Sequence, residues 1–145
     1  MADDAITLAR RCADAMWAQD RASQGLGMEI LDIAPGRATL AMTITAAMTN
    51  GHGMCHGGLI FTLADSAFAF ACNTYDQKTV AQHCSVTFIR PAILGDRLTA
   101  RASERSRSGR SGIYDISVAT ADGKIVAEFR GHSRTIEGRI LEDRQ

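Results

Sequence analysis

Apolar residues along the chain follow two rhythms. Between residues 5 and 18 they recur at three- and four-residue steps (Ile6, Ala9, Ala13, Met16, Trp17), which predicts a helix with one apolar stripe lying on the domain's surface. Asp3 and Asp4 precede it and can cap its first turn. A second helical run covers 59–73, with Ile60, Leu63, Ala64, Ala67, Phe68 and Ala71 on one side and Phe61, Ala69 and Phe70 on others. A helix that is apolar all round is normally buried, so this one is expected to be the centre of the core. It is too short to cross a bilayer, which takes about 20 residues, and Thr62, Asp65 and Ser66 interrupt it.

The other rhythm is the two-residue alternation of strands. Residues 28–33 and 37–45 flank Ala34-Pro35-Gly36, a turn in which proline fixes one φ and glycine frees the next. In 79–89, Val80, Cys84, Val86 and Phe88 alternate with His83, Ser85 and Thr87; Pro91 and Gly95 break the pattern and 97–105 resumes it. A turn at 109–112 follows, and 113–120 and 124–136 flank Asp122-Gly123, which favours the primed turn of a tight hairpin. Five or six strands around one buried helix, without β-helix-β alternation, predict an α+β fold: an antiparallel sheet curled around a central helix, with an N-terminal helix outside.

At 145 residues the chain is one domain, 1–145, with no internal repeat or linker. Sixteen Lys and Arg balance sixteen Asp and Glu, so the basic excess that attracts nucleic acid or an anionic membrane is missing. The N-terminal stretch begins with acids and has no apolar core with a cleavage site, which predicts a cytoplasmic protein rather than a secreted one. Cys12, Cys55, Cys72 and Cys84 are irregularly spaced and are expected to be reduced and mostly buried.

Asp65 is the residue most in need of an explanation, because a carboxylate in an apolar helix costs several kcal/mol unless something compensates for it. It reads either as a general base or nucleophile on a cleft floor, or as an acid that faces solvent or caps a neighbouring backbone. The segment Asn50-Gly51-His52-Gly53-Met54-Cys55-His56-Gly57-Gly58 runs into the start of the same helix. Free N–H groups at a helix N-terminus suit a developing oxyanion, and glycine lets a carbonyl approach, so Gly57 or Gly58 is the candidate donor. Asn50 can supply an amide donor or orient a water, and His56 can fix the loop or polarise the carbonyl; a plain turn with helix entry is the alternative. His56 and Asp65 are nine residues apart, about 13 Å along a helix axis at about 1.5 Å per residue. They cannot touch one carbonyl carbon, so a shared site requires two subunits related by a two-fold axis.

Other constellations carry less. His52, Cys55 and His56, with His83 and Cys84, form a cluster without the usual zinc spacing, and no metal is expected. Cys55 beside His56 is more readily a small buried hydrophobe than a nucleophile, and Ser66 lacks the G-x-S-x-G elbow. The arginines at 101, 105, 107 and 110 are mostly a solvated strand face and turn; with Arg90, one or two can hold a nucleotide phosphate.

From about residue 25 to 138 the chain resembles the PaaI-type hotdog thioesterases of phenylacetate degradation. The resemblance rests on Asn50-Gly51-His52, His56-Gly57-Gly58, Leu63-Ala64-Asp65 with Ala67-Phe68-Ala69, Phe88-Ile89-Arg90-Pro91, Gly95-Asp96, Tyr114-Asp115 and Phe129-Arg130-Gly131. It implies a hotdog fold and hydrolysis of an acyl-CoA, phenylacetyl or ring-hydroxylated phenylacetyl, without metal or redox cofactor. It further implies that Gly57 N–H polarises the thioester carbonyl, that Asn50 and His56 position substrate or water, and that Asp65 of the other subunit acts as base or nucleophile. The CoA channel would lie at a dimer interface, commonly within a tetramer, and the candidate substrate-binding residues are Gly58, Phe61, Ser66, Arg90, Ser108, Arg110, Gly131 and Ser133. One related branch places a threonine one turn after its acid, where this chain has Ala69. A hotdog hydroxyacyl-CoA dehydratase and a non-catalytic acyl-CoA-binding protein are the competing readings.

Overall fold

A computed structural model describes residues 4–141, so Asp3, offered above as a capping residue, lies outside the described residues. Asp4 caps helix α1 (Ala5–Trp17), accepting a hydrogen bond from the Thr7 N–H at 2.7 Å. Ala9, Cys12, Ala13 and Ala15 are buried, with Met16 and Trp17 packed beside them, whereas Ile6 is 49% exposed. The buried stripe therefore starts one turn later than the spacing predicts and runs through small residues, which let α1 sit close against strand β1 (Glu29–Ala34). A five-residue helix, α2 (Arg21–Gly25), was not legible as a periodicity because it is little more than one turn; Asp20 caps it through the Ser23 N–H at 2.9 Å.

Strand β1 turns into β2 (Arg37–Thr43) through Pro35-Gly36, where Gly36 has φ 70°. Proline followed by a left-handed glycine is the signature of a type II turn. β2 ends at Thr43, two residues short of the expected end at 45, and a 3-10 turn at Ala46–Met48 follows. Helix α3 (Gly57–Cys72) begins two residues earlier than its apolar spacing suggests, because glycines carry its first turn.

Strands β3 (Thr79–Phe88), β4 (Arg97–Ser108), β5 (Ser111–Ala119) and β6 (Ile125–Thr135) complete one antiparallel sheet in the order β1-β2-β4-β5-β6-β3. β4 and β5 run further than expected, leaving a two-residue turn at Gly109-Arg110 with Gly109 at φ 59°. At the β5–β6 corner the expected tight primed turn is not formed. Only Gly123 is left-handed, at φ 85°, and the loop is closed by Gly123 N–H to the Thr120 carbonyl at 3.0 Å and Thr120 N–H to the Lys124 carbonyl at 2.9 Å.

The sheet curls around α3, which packs on β2, β4, β5, β3 and β6. Phe68 is at its centre, with ring centroids 5.6 Å from Tyr114 and 6.0 Å from Phe129. Gly131 lies beneath that ring, where a Cβ would be 2.7 Å from it. One strip of α3 is left incompletely buried, along Gly58, Thr62, Asp65, Ser66 and Ala69. α1 packs on β1, one edge of the sheet, while the other edge, β3, is open and largely exposed. Among the described residues no helix is long and apolar enough to cross a membrane. Cys12, Cys55 and Cys72 are buried and Cys84 is half-buried, all four as free thiols.

Candidate active site

The loop before α3 is held by its own backbone and by Asn50. The Asn50 Oδ1 accepts from the N–H of His52 at 2.9 Å and of Met54 at 3.3 Å, and the Asn50 N–H donates to the Met54 carbonyl at 2.8 Å. Cys55 N–H donates to the Ala92 carbonyl and His56 N–H to the Met48 carbonyl, each at 2.8 Å, which sews the segment to its neighbours on both sides. The oxygen of the Asn50 amide is thus spent on the loop, while its NH2 has no acceptor among the described residues. A cavity of about 270 Å³ opens beside it, lined by Asn50, Met54, Cys55, Gly57, Ile60, Phe88, Ile89, Arg90 and Pro91.

His56 is the N-cap of α3, with φ −60° and ψ 130°. Its Nδ1 accepts the Gly58 N–H at 2.9 Å, which places the neutral ring's proton on Nε2 as a donor facing outward. The sequence left Gly57 and Gly58 as equal candidates for the free donor, and the geometry separates them. Gly58 N–H is taken, whereas Gly57, which lines the cavity, has an N–H with no acceptor among the described residues. Together with the positive end of the α3 dipole, that bare N–H favours a carbonyl oxygen gaining negative charge. The Phe88 ring lies against Gly57, where a Cβ would be 3.1 Å from it.

Asp65 is two turns further along α3, on the incompletely buried strip. No hydrogen bond or ion pair reaches its carboxylate among the described residues, and burial holds its pKa above the ordinary 3.8. Its charge in turn pushes up the Cys72 and Cys84 thiols, after the larger effect of their own burial. Eight residues separate Gly57 from Asp65, about 12 Å along the axis. Within one protomer the candidate donor and the candidate base therefore do not meet.

The remaining candidates fall into three places. Arg90 is exposed at the cavity and Gly58 at the helix tip beside it. Phe61, Ser66 and Gly131 are tied into the packing: Phe61 meets Phe129 edge-on at 5.1 Å, the Ser66 hydroxyl is 2.9 Å from that of Ser23, and Gly131 makes room for Phe68. Ser108 and Arg110 are exposed at the β4–β5 turn, and Ser133 is buried near them, opposite Gly112. That turn is at the far end of the sheet from the cavity. Ser133 pairs with Ala81 near the start of β3, and Phe88 ends that strand; seven residues of strand span about 23 Å.

His52, Cys55 and His56 do not converge, nor does any group of three or more His, Cys, Asp or Glu side chains among the described residues. Burial pushes the Cys55 thiol up, the wrong direction for a thiolate nucleophile. Phe88 belongs to the Phe88-Ile89-Arg90-Pro91 motif, but its place against Gly57 depends on the end of β3 folding over the tip of α3, a long-range contact that carries no local signal in the sequence.

A family model described as the thioesterase superfamily matches residues 52–127. The chain is 45% identical over 128 residues to the acyl-coenzyme A thioesterase PaaI of Escherichia coli strain K12, covering 88% of this chain and 91% of that protein. The solved structure of E. coli PaaI, from its phenylacetic acid degradation operon, superposes with a TM-score of 0.91 at 44% identity, covering 92% of this chain and 96% of the other. A mutant of the phenylacetic acid degradation protein PaaI of Thermus thermophilus gives a TM-score of 0.78 at 39% identity, covering 81% and 100%. With a sheet wrapped around a central helix, a polar-tipped helix N-terminus and an acid two turns behind it, the chain belongs to the thioesterase superfamily and has its hotdog fold.

Proposed function

We propose that this protein is an acyl-CoA thioesterase that converts phenylacetyl-CoA, or a ring-hydroxylated relative, and water into the free acid and CoA. The observation that carries the reading is a pair of groups on α3 unmatched among the described residues: a bare Gly57 N–H at the tip and a desolvated Asp65 without a partner two turns away. The names of the E. coli and T. thermophilus relatives, an acyl-CoA thioesterase and phenylacetic acid degradation proteins, support this substrate class.

In this reading two chains form the site. β3 is an open edge strand with Val80 and Phe88 exposed, and an edge of this kind is satisfied by pairing with another strand. Antiparallel pairing of β3 with β3 of a second copy about a two-fold axis sets the end of one strand beside the start of the other. It also brings the two α3 strips of small residues face to face, so that Asp65 of one protomer approaches Gly57 of its partner. Two such dimers would make a tetramer, working in the cytoplasm.

The thioester carbonyl oxygen accepts from Gly57 N–H, with the outward Nε2–H of His56 and the Asn50 NH2 holding the substrate or the water. Asp65 takes a proton from water as its oxygen attacks the carbonyl carbon, or attacks that carbon itself and is released by water afterwards. The C–S bond breaks and CoA leaves as its thiol, its sulfur taking the proton that Asp65 took from water or, in the nucleophilic route, one from solvent water. No cofactor is needed. The unpartnered state of Asp65 favours hydrolysis over hydroxyacyl dehydration, which would pair an acid with a histidine on one substrate carbon.

The test follows release of CoA from phenylacetyl-CoA with a thiol reagent, comparing wild type with Asp65→Asn. The expected result is a loss of about 10² to 10⁴-fold in kcat, the range for removing a general base. Equal rates would end the assignment.

A further inference from the structure

Strand β3 carries one irregularity that the proposed chemistry does not use. From Thr79 to Ala81 it pairs with β6 in one register, Thr79 with Thr135, Val80 with Arg134 and Ala81 with Ser133. From His83 onward the register is displaced by one residue, with His83 opposite His132 and Cys84 opposite Gly131. Gln82 is therefore the extra residue of a β-bulge, and in the unbroken register it would be the residue opposite His132. The bulge sets His83 there instead, and re-aiming a side chain is what bulges near functional sites do.

His132 is on the face of β6 turned away from α3, since Phe129, Gly131 and Ser133, which alternate with it, are buried. Two imidazoles from neighbouring strands thus stand side by side on the outer face of the sheet, His83 exposed and His132 half-buried. Their ring centroids are 5.4 Å apart, with the planes at 82°. Neither ring has a hydrogen-bond or ion-pair partner among the described residues. In the sequence His83 stands beside Cys84, which on a strand faces the other way. Its neighbour in space belongs to the adjoining strand, so no ligand spacing betrays the pair.

Two adjacent imidazoles without other partners are a chelating pair. Zinc holds histidine nitrogens at about 2.0–2.1 Å in a tetrahedral array, and two imidazoles sharing one ion in that way have ring centroids about 5 Å apart. The separation of His83 and His132 is close to that value. Imidazole suits zinc and its late transition-metal neighbours rather than oxygen-seeking Mg²⁺. Of the cations on either side of His132, Arg130 is matched by Asp115 through hydrogen bonds of 2.6 and 2.8 Å. The other, Arg134, is exposed, where solvent and salt screen its charge.

We propose that His83 and His132 form a two-histidine site for a divalent transition-metal ion of the zinc type, created by the bulge at Gln82, with water completing the coordination. An ion held there clasps β3 to β6. β3 has a neighbour on one side only, so a second tie across that pair steadies the strand that a joining chain would use. The site is remote from the thioesterase cavity: five residues of strand, about 17 Å, separate His83 from Phe88. The ion takes no part in hydrolysis.

The test titrates the untagged, chelator-treated chain with Zn²⁺ alone in a calorimeter, comparing wild type with His83→Gln, His132→Gln and His52→Gln. Wild type and His52→Gln are expected to take up one ion per chain, and each of the other two variants to bind it at least about 10-fold more weakly. Thermal melts give a second readout. Zn²⁺ is expected to raise the midpoint of wild type but not of His83→Gln or His132→Gln, whose metal-free midpoints stay near wild type because neither ring is in the core. Mg²⁺ is expected to produce neither effect. No uptake of Zn²⁺ by wild type, an affinity unchanged in His83→Gln and His132→Gln, a fall of the same size in His52→Gln, or an equal response to Mg²⁺ would overturn the proposal.

Discussion

The two residues on which the proposed chemistry turns are recognisable by what they lack. Asp65 has no hydrogen-bond or ion-pair partner among the described residues, and burial raises its pKa, so ionising it costs folding free energy. The sign follows from the direction: the folded chain holds the Asp65 proton to a higher pH than the unfolded chain. Stability due to this group is therefore lost as pH rises from the ordinary carboxylate value of 3.8 through the folded-state pKa. Asp65→Asn is expected to melt above wild type at neutral pH, and its advantage to shrink as the pH falls toward that value; thermal melts across pH check it. If Asp65 is the base, the same shift places the acid limb of the kcat/KM profile above the ordinary carboxylate range, because a base acts when ionised. Gly57 admits a sharper test. Proline is tolerated at the first position of a helix, and His56 already has the extended backbone that proline imposes on the residue before it. Gly57→Pro removes the N–H and Gly57→Ala keeps it, while both place a Cβ 3.1 Å from Phe88, so the comparison isolates the N–H. If the N–H is the oxyanion donor, kcat falls about 10² to 10³-fold further in the proline variant than in the alanine one.

Among the elements, α3 was the most legible from sequence, because a run apolar on every face has nowhere to go but the middle of a sheet. The hairpin at Pro35-Gly36 was legible for a local reason, since both turn residues are specified. Asp122-Gly123 carries an equally strong local signal and misled: the corner closes through Thr120 and Lys124, and only the glycine adopts positive φ. What the sequence could not convey was the roles acquired through long-range contact. Gly131 was a candidate for substrate binding, and the structure gives it a packing role that depends on Phe68, sixty-three positions away. Gly131→Ala is expected to cost about 1–3 kcal/mol by overpacking, read as a lower denaturation midpoint. The chain from Asp20 through Ser23 to Ser66, at 2.7 and 2.9 Å, likewise ties α2 to α3 beside Asp65. Asp20→Ala loses both the cap of α2 and this tie, with an expected cost of about 1 kcal/mol.

At the scale of the whole molecule the protomer looks unfinished. α1 covers one edge of the sheet while β3 leaves the other unpaired, and α3 shows a strip of small residues with an acid at its centre. If His56 and Asp65 serve one site, their spacing in the sequence requires two chains, and in the proposed dimer the open edge of β3 is where the second chain joins. The most direct test of a shared site is complementation between two inactive proteins. Asp65→Asn and Gly57→Pro chains are unfolded together, refolded as a mixture, and assayed on phenylacetyl-CoA. Random pairing puts about half of the molecules into mixed dimers, each with one of its two sites intact, so about a quarter of wild-type activity is expected to return. A mixture no more active than the sum of its two inactive components would contradict the shared site.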